Sequence, residues 1–235
     1  MNTVLLIASA REEYAGLARK LLPMSEAALP VEFARTAEHR GSQWLLMANG
    51  PGYRLASEAL RAVLERMPVS AVVSTGYCGG LDHTLKPLTV FVASRIIDVE
   101  TGTEFPSRAP CGCAAPAAGA LASQDRVAVR AEEKSALRAR TGASAVDMES
   151  GALASVALSR GVPFYCVRVL TDSAEESFTL DFNDYRDESG RFQKTRIVSE
   201  VIKRPQTHLA PLLALRRVSR HAAKKLGEYL AGCDF

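Results

Sequence analysis

Glu149 and Asp172 are acids, groups that can give up or take a proton, and both follow short apolar runs within residues 143–174. Residues 143–146, Ala-Ser-Ala-Val, lead into Asp147-Met148-Glu149, and residues 164–170, Phe-Tyr-Cys-Val-Arg-Val-Leu, lead into Thr171-Asp172. Between them Ala152, Val156 and Leu158 keep helical spacing until Gly161 and Pro163, a common helix stop. The stretch reads as strand–helix–strand, with a right-handed crossover that makes the two strands parallel and ends both on one edge of a sheet. Open α/β sheets bind ligands outside the carboxyl ends of their strands, so the two carboxylates are expected in one crevice. Taken singly, Glu149 also suits a helix N-terminus and Asp172 the cap of a turn. Their equivalent placement favours chemistry.

The elements that must position them follow from pattern. Residues 3–9 read as a first strand, and Arg11-Glu12-Glu13-Tyr14 begins a helix through Leu17, Leu21 and Leu22, which brings further carboxylates to the same edge. Residues 31–37 and 43–49 suit a hairpin around residues 38–41. Gly50-Pro51-Gly52 opens a helix carrying Leu55, Ala59 and Leu60; Gly50 and Gly52 let backbone N–H groups approach an anion or a ribose, although such turns also arise for steric reasons. Residues 71–75 are a short buried strand ending in Gly76-Tyr77-Cys78-Gly79-Gly80, glycines that permit close approach of a ligand or a neighbouring loop. Residues 88–98 form a long bent strand, 101–119 a loop rich in small residues that could meet a partner, 119–123 a short strand and 132–140 a charged surface helix. Residues 175–191, polar and aromatic without periodicity, are a candidate lid, and the chain closes with residues 197–202 and a helix over about 209–230.

Composition sets bounds. Of 235 residues 47% are hydrophobic and 23% charged, which is ordinary globular usage, and one domain over residues 1–235 accounts for the length. No apolar run reaches the ~18 residues of a membrane span, and Met1-Asn2-Thr3 passes into Val4-Leu5-Leu6-Ile7 without a basic leader or cleavage site. A cytoplasmic location is the expectation. Cys78, Cys111, Cys113, Cys166 and Cys233 are odd in number and irregularly spaced, unlike a disulfide framework. Cys111-Gly-Cys113 has no nearby pair or His to complete a metal site and reads as loop thiols. Residues 196–235 carry eight Lys/Arg against three Asp/Glu, leaving 21 against 23 elsewhere, a basic tail on a near-neutral body.

Ala-Val-Asp147-Met148-Glu149-Ser150-Gly-Ala, with Val-Arg168-Val-Leu-Thr171-Asp172, resembles the signature of the purine nucleoside phosphorylase and methylthioadenosine/S-adenosylhomocysteine nucleosidase superfamily. Ala8-Ser-Ala-Arg-Glu12-Glu13, Asn49-Gly50-Pro-Gly52 and Ser74-Thr-Gly76-Tyr-Cys-Gly79-Gly80-Leu81 fall in the same order as that superfamily's other segments. The resemblance implies an α/β fold, a three-layer α/β/α sandwich with a mixed, partly curled central sheet, and cleavage of a nucleoside's N-glycosidic bond. Position by position it implies that Asp172 is the general acid at purine N7, supported by Thr171. Glu149 would hold the ribose hydroxyls over Met148, and Glu13 would position an attacking water. Val127, in the segment bordering the base, joins Gly50, Gly52, Gly76, Tyr77, Cys78 and Gly79 as implied substrate-binding residues. The chemistry is consistent: breaking a ribosyl C–N bond builds positive charge on the sugar, which carboxylates stabilise, and the leaving purine needs a proton.

Departures mark limits. Ser74 and Tyr77 stand where phosphorolytic members carry an arginine and a serine or threonine, and Gln124-Asp125-Arg126-Val127 lacks the base-stacking ring of the nucleosidases. Hydrolysis and phosphorolysis both stay open. No metal or organic cofactor is implied, with inorganic phosphate the alternative co-substrate. The tail, Lys203-Arg204-Pro205 followed by Leu209, Leu212, Leu213, Arg216 and Arg217, is similar to that of hopanoid-associated phosphorylases, which remove adenine from adenosylhopane. Leu215, Val218, Ala222, Leu226 and Tyr229 form one stripe of this helix, read as core-packing, with membrane-surface contact the less favoured role. The resemblance also implies a homo-oligomer, a dimer first. Basic residues without interleaved aromatics make a poor nucleic-acid footprint. The rival to an enzyme is a catalytically inactive nucleoside-binding or scaffolding protein of the same fold.

Overall fold

A ten-stranded mixed sheet carries the chain in a computed structural model that describes residues 2–113 and 117–235. β1 (Thr3–Ala8) is apolar at nearly every position and buried throughout, as a central parallel strand covered on both faces must be. It lies between β4 (Ser42–Ala48) and β5 (Ala71–Gly80), parallel to both. β3 (Phe33–His39) forms the expected hairpin with β4 through Arg40 and Gly41, both at positive φ, and β2 (Ser25–Glu26) completes that edge.

Beyond β5 the sheet curls into a ring. β5 pairs in parallel with β10 (Phe164–Asp172), which pairs antiparallel with β6 (Val90–Asp98). β6 takes β7 (Glu104–Pro106) on part of its length and runs parallel to β8 (Ala117–Ser123). β9 (Ala145–Asp147) then joins β8 in parallel and closes on the end of β5 antiparallel. β9 and β10 are therefore not the parallel pair expected of the strand–helix–strand unit. They flank β5 on opposite sides and run in opposite senses, because the helix between them spans a closed ring instead of an open sheet. Their ends still meet: Val146 and Asp172 are both in register with Gly79.

Helices cover both faces. α2 (Tyr53–Leu64) and α4 (Ser150–Ser159) pack one face through Leu60, Val63, Leu153 and Ala157. The other face is covered by α1 (Ala15–Ala18) and α6 (Pro205–Leu230) through Leu17, Ala222, Leu226 and Leu230, giving the three-layer arrangement. α1 stops well short of the expected Leu22, which is 72% exposed; Pro23 disfavours helix at the residue before it. α1 meets α6 backbone to backbone, since a Cβ on Gly16 would fall 2.3 Å from the Ala223 carbonyl oxygen and one on Gly227 2.1 Å from the Leu17 nitrogen. α3 (Ala131–Thr141) closes the ring's far side, and α5 (Lys194–Lys203) leads into α6.

Other expectations change. β5 does not end at Thr75 but continues to Gly80, so its glycines are strand residues. The 101–119 stretch holds β7 and the start of β8 because their backbone groups find partners on β6; residues 114–116 of it lie outside the described residues. Cys113 is not a loop thiol but is disulfide-bonded to Cys233, which the fold brings beside it across 120 residues of sequence.

Candidate active site

A cleft of about 400 Å³ opens where β5, β9 and β10 end together, and Asp172, Glu149, Met148, Thr171, Tyr77, Cys78, Gly79 and Val127 line it. Glu13 and the remaining glycines stand behind its wall. Glu13 Oε2 accepts the Tyr77 N–H at 3.0 Å, while Oε1 accepts the Ala10 N–H at 2.9 Å and the hydroxyl of Ser9, itself a lining residue. Gly76, at φ +125, leaves the space that the Glu13 carboxylate fills: a Cβ there would be 1.8 Å from Oε2. Gly52 donates its N–H to Glu149 Oε1 at 3.1 Å, and Gly50 lies against Leu55 and Arg191.

Two buried cations organise the acids. The Arg168 guanidinium, 1% exposed, bonds Ser74 Oγ at 2.7 Å, Ser150 Oγ at 3.1 Å and the Thr75 carbonyl at 2.9 Å, pairs with Asp147 and lies 3.5 Å from Glu149. Burial works against its charge, but Asp147, Glu149 and Glu13 together hold its pKa above the ordinary value. Burial likewise pushes Glu149 up to about 7, with Arg168 opposing and Asp147 and Glu13 adding to the rise. Glu13 is raised by burial against the pull of Ser9 and Arg168.

Lys134 is the second cation. Its Nζ donates to Asp172 Oδ2 at 2.5 Å, to the Ser173 carbonyl at 2.7 Å and to the Glu176 carbonyl at 2.8 Å, which uses all its protons. Thr171 Oγ1 donates to Asp172 Oδ1 at 2.8 Å. Burial raises Asp172 above its ordinary range, and Lys134 limits the rise. Asp172 is thus not the exposed cap of a turn but a dry carboxyl in contact with a proton-rich partner, and α3 is not merely a charged surface helix.

One side of the cleft is closed by the 178–192 segment. Phe178, Phe182 and Phe192 line the cleft and meet edge to face, with centroids 5.5 and 6.3 Å apart, so aromatic rings come from the candidate lid. The Asn183 amide pairs with both polar backbone groups of Val127: Oδ1 accepts its N–H at 2.9 Å, and Nδ2 donates to its carbonyl at 3.1 Å. Asp125 instead leaves the site to pair with Arg186 at 2.9 Å. Among the described residues no group of three His, Cys, Asp or Glu side chains gathers as a metal site.

A model of the Phosphorylase superfamily matches residues 108–203. The chain is similar to that superfamily in sequence and in fold. The 5'-methylthioadenosine/S-adenosylhomocysteine nucleosidase of Bacillus subtilis is 26% identical over 196 residues, 72% of this chain and 84% of the relative. The enzyme of the same name from Shewanella baltica is 27% identical over 172 residues, 62% and 73%. Among solved structures, the nucleosidase from Neisseria meningitidis in complex with methylthio-immucillin-A aligns with a TM-score of 0.76 at 19% identity, covering 99% of this chain and 98% of that one. A futalosine hydrolase mutant of Helicobacter pylori aligns at 0.74 and 15% identity, covering 98% and 97%.

Sequence reasoning passed over Lys134, the hub role of Arg168, and Asn183. Lys134 had a signal: it lies three residues before Leu137, and these two are the buried positions of α3, so a lysine occupies the place where an apolar residue belongs. Asn183 had none, since its partner is 56 residues away.

Proposed function

We propose that this protein hydrolyses the N-glycosidic bond of a 5′-substituted adenine nucleoside and releases free adenine. The observation that supports it most is the sorting of acids around one cleft, Asp172 against Lys134 on one side and Glu149 and Glu13 around Arg168 on the other. In this reading Asp172 gives its proton to N7 as the C1′–N9 bond breaks and its electron pair moves to the purine. Solvent entering the emptied cleft then returns the proton to Asp172, whose carboxylate Lys134 holds in place meanwhile. Glu149 holds the ribose hydroxyls and faces the oxocarbenium-like sugar, with Met148 beneath it. Water adds to C1′, and its proton passes by way of the Ser9 hydroxyl, which lines the cleft, to Glu13, a carboxyl raised by burial. The curated relatives' names, which specify methylthioadenosine and S-adenosylhomocysteine, support adenine as the base and a thioether at C5′.

Water is favoured over phosphate because Arg168, the cation buried beside Glu149, is committed, although Arg126 and Lys194 reach the cleft's rim. Arg168 spends its terminal nitrogens on Asp147, Ser74, Ser150 and backbone carbonyls, and the Ser74 hydroxyl is buried on that arginine. A second hollow of about 210 Å³ shares Thr171, Phe178, Phe182 and Leu215 with the cleft and continues between the lid and α6. Its apolar walls favour an extended apolar 5′ substituent, in keeping with the tail's likeness to hopanoid-associated phosphorylases.

The test is incubation with methylthioadenosine, adenosylhomocysteine and inosine, with and without phosphate, followed by product analysis. Adenine and free ribosyl product without phosphate are expected. Strict phosphate dependence would overturn the hydrolytic step, and no base from any nucleoside would return the chain to a binding role. Asp172→Asn, which keeps shape but cannot transfer the proton, should lower kcat by about 10²–10⁴ with little change in KM.

A further inference from the structure

The N-terminal half of α6 is poorly matched to water. Residues 209–215 read Leu-Ala-Pro-Leu-Leu-Ala-Leu, seven consecutive apolar residues, none of them buried. Leu209 is 45% and Leu213 54% exposed, and on the neighbouring α5 Val198 is 53% and Ile202 72% exposed. The helix enters the core through its other half, by Ala222, Ala223, Leu226 and Leu230, and in its first half only His208 is buried, beside Thr179. The expected core-packing stripe therefore holds over the C-terminal turns alone.

Charge is arranged along the same surface. At 3.6 residues per turn, Leu209, Leu213, Arg216, Arg217 and Arg220 fall within an arc of roughly 100°, so the outer stripe passes from leucine to arginine along the helix. No acidic residue occurs between Glu200 and Glu228; these two acids pair with Lys203, Arg204 and Lys224, which leaves Arg216, Arg217, Arg220 and Lys225 as the cationic side. Exposed apolar residues next to unneutralised arginines match the surface of a bilayer that carries anionic lipid: leucines enter the acyl boundary and arginines meet headgroup phosphates. A second copy of the chain fits worse. An isologous contact sets this stripe against itself, leaving arginines against arginines or against the partner's leucines with no acid in the stripe.

We propose that α5 and the first half of α6 form an interfacial docking surface for anionic membranes. The helix lies on the membrane and does not cross it: no helix among the described residues is long and apolar enough to span. The surface also frames an entrance. Pro211, Leu212 and Leu215 of the same helix line the apolar hollow that joins the cleft. If the nucleosidase reading holds, a membrane-resident 5′-substituted nucleoside reaches the acids without crossing water. The docking itself stands on the surface residues alone.

The experiment is flotation of the full chain with vesicles of phosphatidylcholine alone and of phosphatidylcholine with phosphatidylglycerol, at low and high salt. Adenine release from methylthioadenosine is assayed on the same samples. Wild type should float with the anionic vesicles and less so at high salt. Arg216→Glu with Arg217→Glu should lower that partitioning about thirtyfold or more, at the ~1 kcal/mol expected per basic residue, and Leu209→Ser with Leu213→Ser should abolish it. Neither pair lines the hollow or the cleft, so soluble-substrate turnover should persist in both. Absence of wild-type flotation with normal turnover overturns docking and leaves the catalytic reading intact; flotation without turnover does the reverse. If light scattering shows a wild-type dimer that the leucine pair converts to monomer, the face joins two copies and docking is overturned.

Discussion

Replacing Lys134 by Met tests the electrostatic core of the site, because methionine fills much the same stem volume and removes only the charge and its donors. The Lys134 and Asp172 side chains are 0% and 5% exposed and approach to 2.5 Å. At an effective dielectric of about 20, unit charges that close attract by roughly 7 kcal/mol, offset by several kcal/mol of desolvation per ion, and removing one partner of such a pair costs about 3–5 kcal/mol. For a chain of this size that is a fall in Tm of roughly 6–20 °C. The pH dependence has a definite sign. Burial raises the folded-state pKa of Asp172 and Lys134 restrains it, so the variant's pKa rises further. A carboxyl with a raised folded pKa contributes stability that is present below its unfolded pKa and lost as pH rises through the folded one. The loss in Lys134→Met should therefore be largest on the alkaline side and shrink as pH falls and Asp172 takes up a proton. In the proposed mechanism Asp172 must be protonated to act as general acid, so the alkaline limb of kcat against pH should move upward, even as kcat itself falls. Calorimetry across pH and a pH–rate profile read both effects. An unchanged Tm on the alkaline side, or an alkaline limb that stays or moves down, would refute the reasoning.

Other expectations concern the remaining groups. Glu149, pushed up to about 7 by burial, should contribute stability that is present below the ordinary carboxylate range and lost as pH rises through about 7; Glu149→Gln should flatten that fall, on the order of 3 kcal/mol, in urea midpoints measured against pH. Glu13→Gln should cut water-dependent turnover by about 10²–10⁴, and a variant that hydrolyses normally would remove Glu13 from the reaction. Asn183→Ala frees the Val127 N–H and carbonyl that the amide now holds. At about 0.5–1.5 kcal/mol per hydrogen bond, KM for adenine nucleosides should drop roughly five- to a hundredfold, whereas a higher KM would mean that the amide binds substrate.

Local pattern carried the elements that read by themselves. The all-apolar β1, the β3–β4 hairpin with its turn at Arg40 and Gly41, and α2 behind Gly52 depend on neighbours in sequence, and they appear near their expected bounds. That Asp172 and Glu13 gather near one cleft was also legible, because acids that follow parallel strands collect at a sheet's carboxyl edge; Glu149 reaches the same cleft although β9 runs the other way. Tertiary structure decided what surrounds them. Antiparallel closure of β9 on β5 depends on a ring of strands that no local run encodes, and the Cys113–Cys233 disulfide joins segments 120 residues apart. Lys134 is marked in the sequence only by sharing the face of Leu137; the fold sets it against Asp172, 38 residues along the chain, and removes the water. The acids' identities are local facts of the chain; their protonation is set by burial and by charges that arrive from distant segments, and this only the folded molecule supplies.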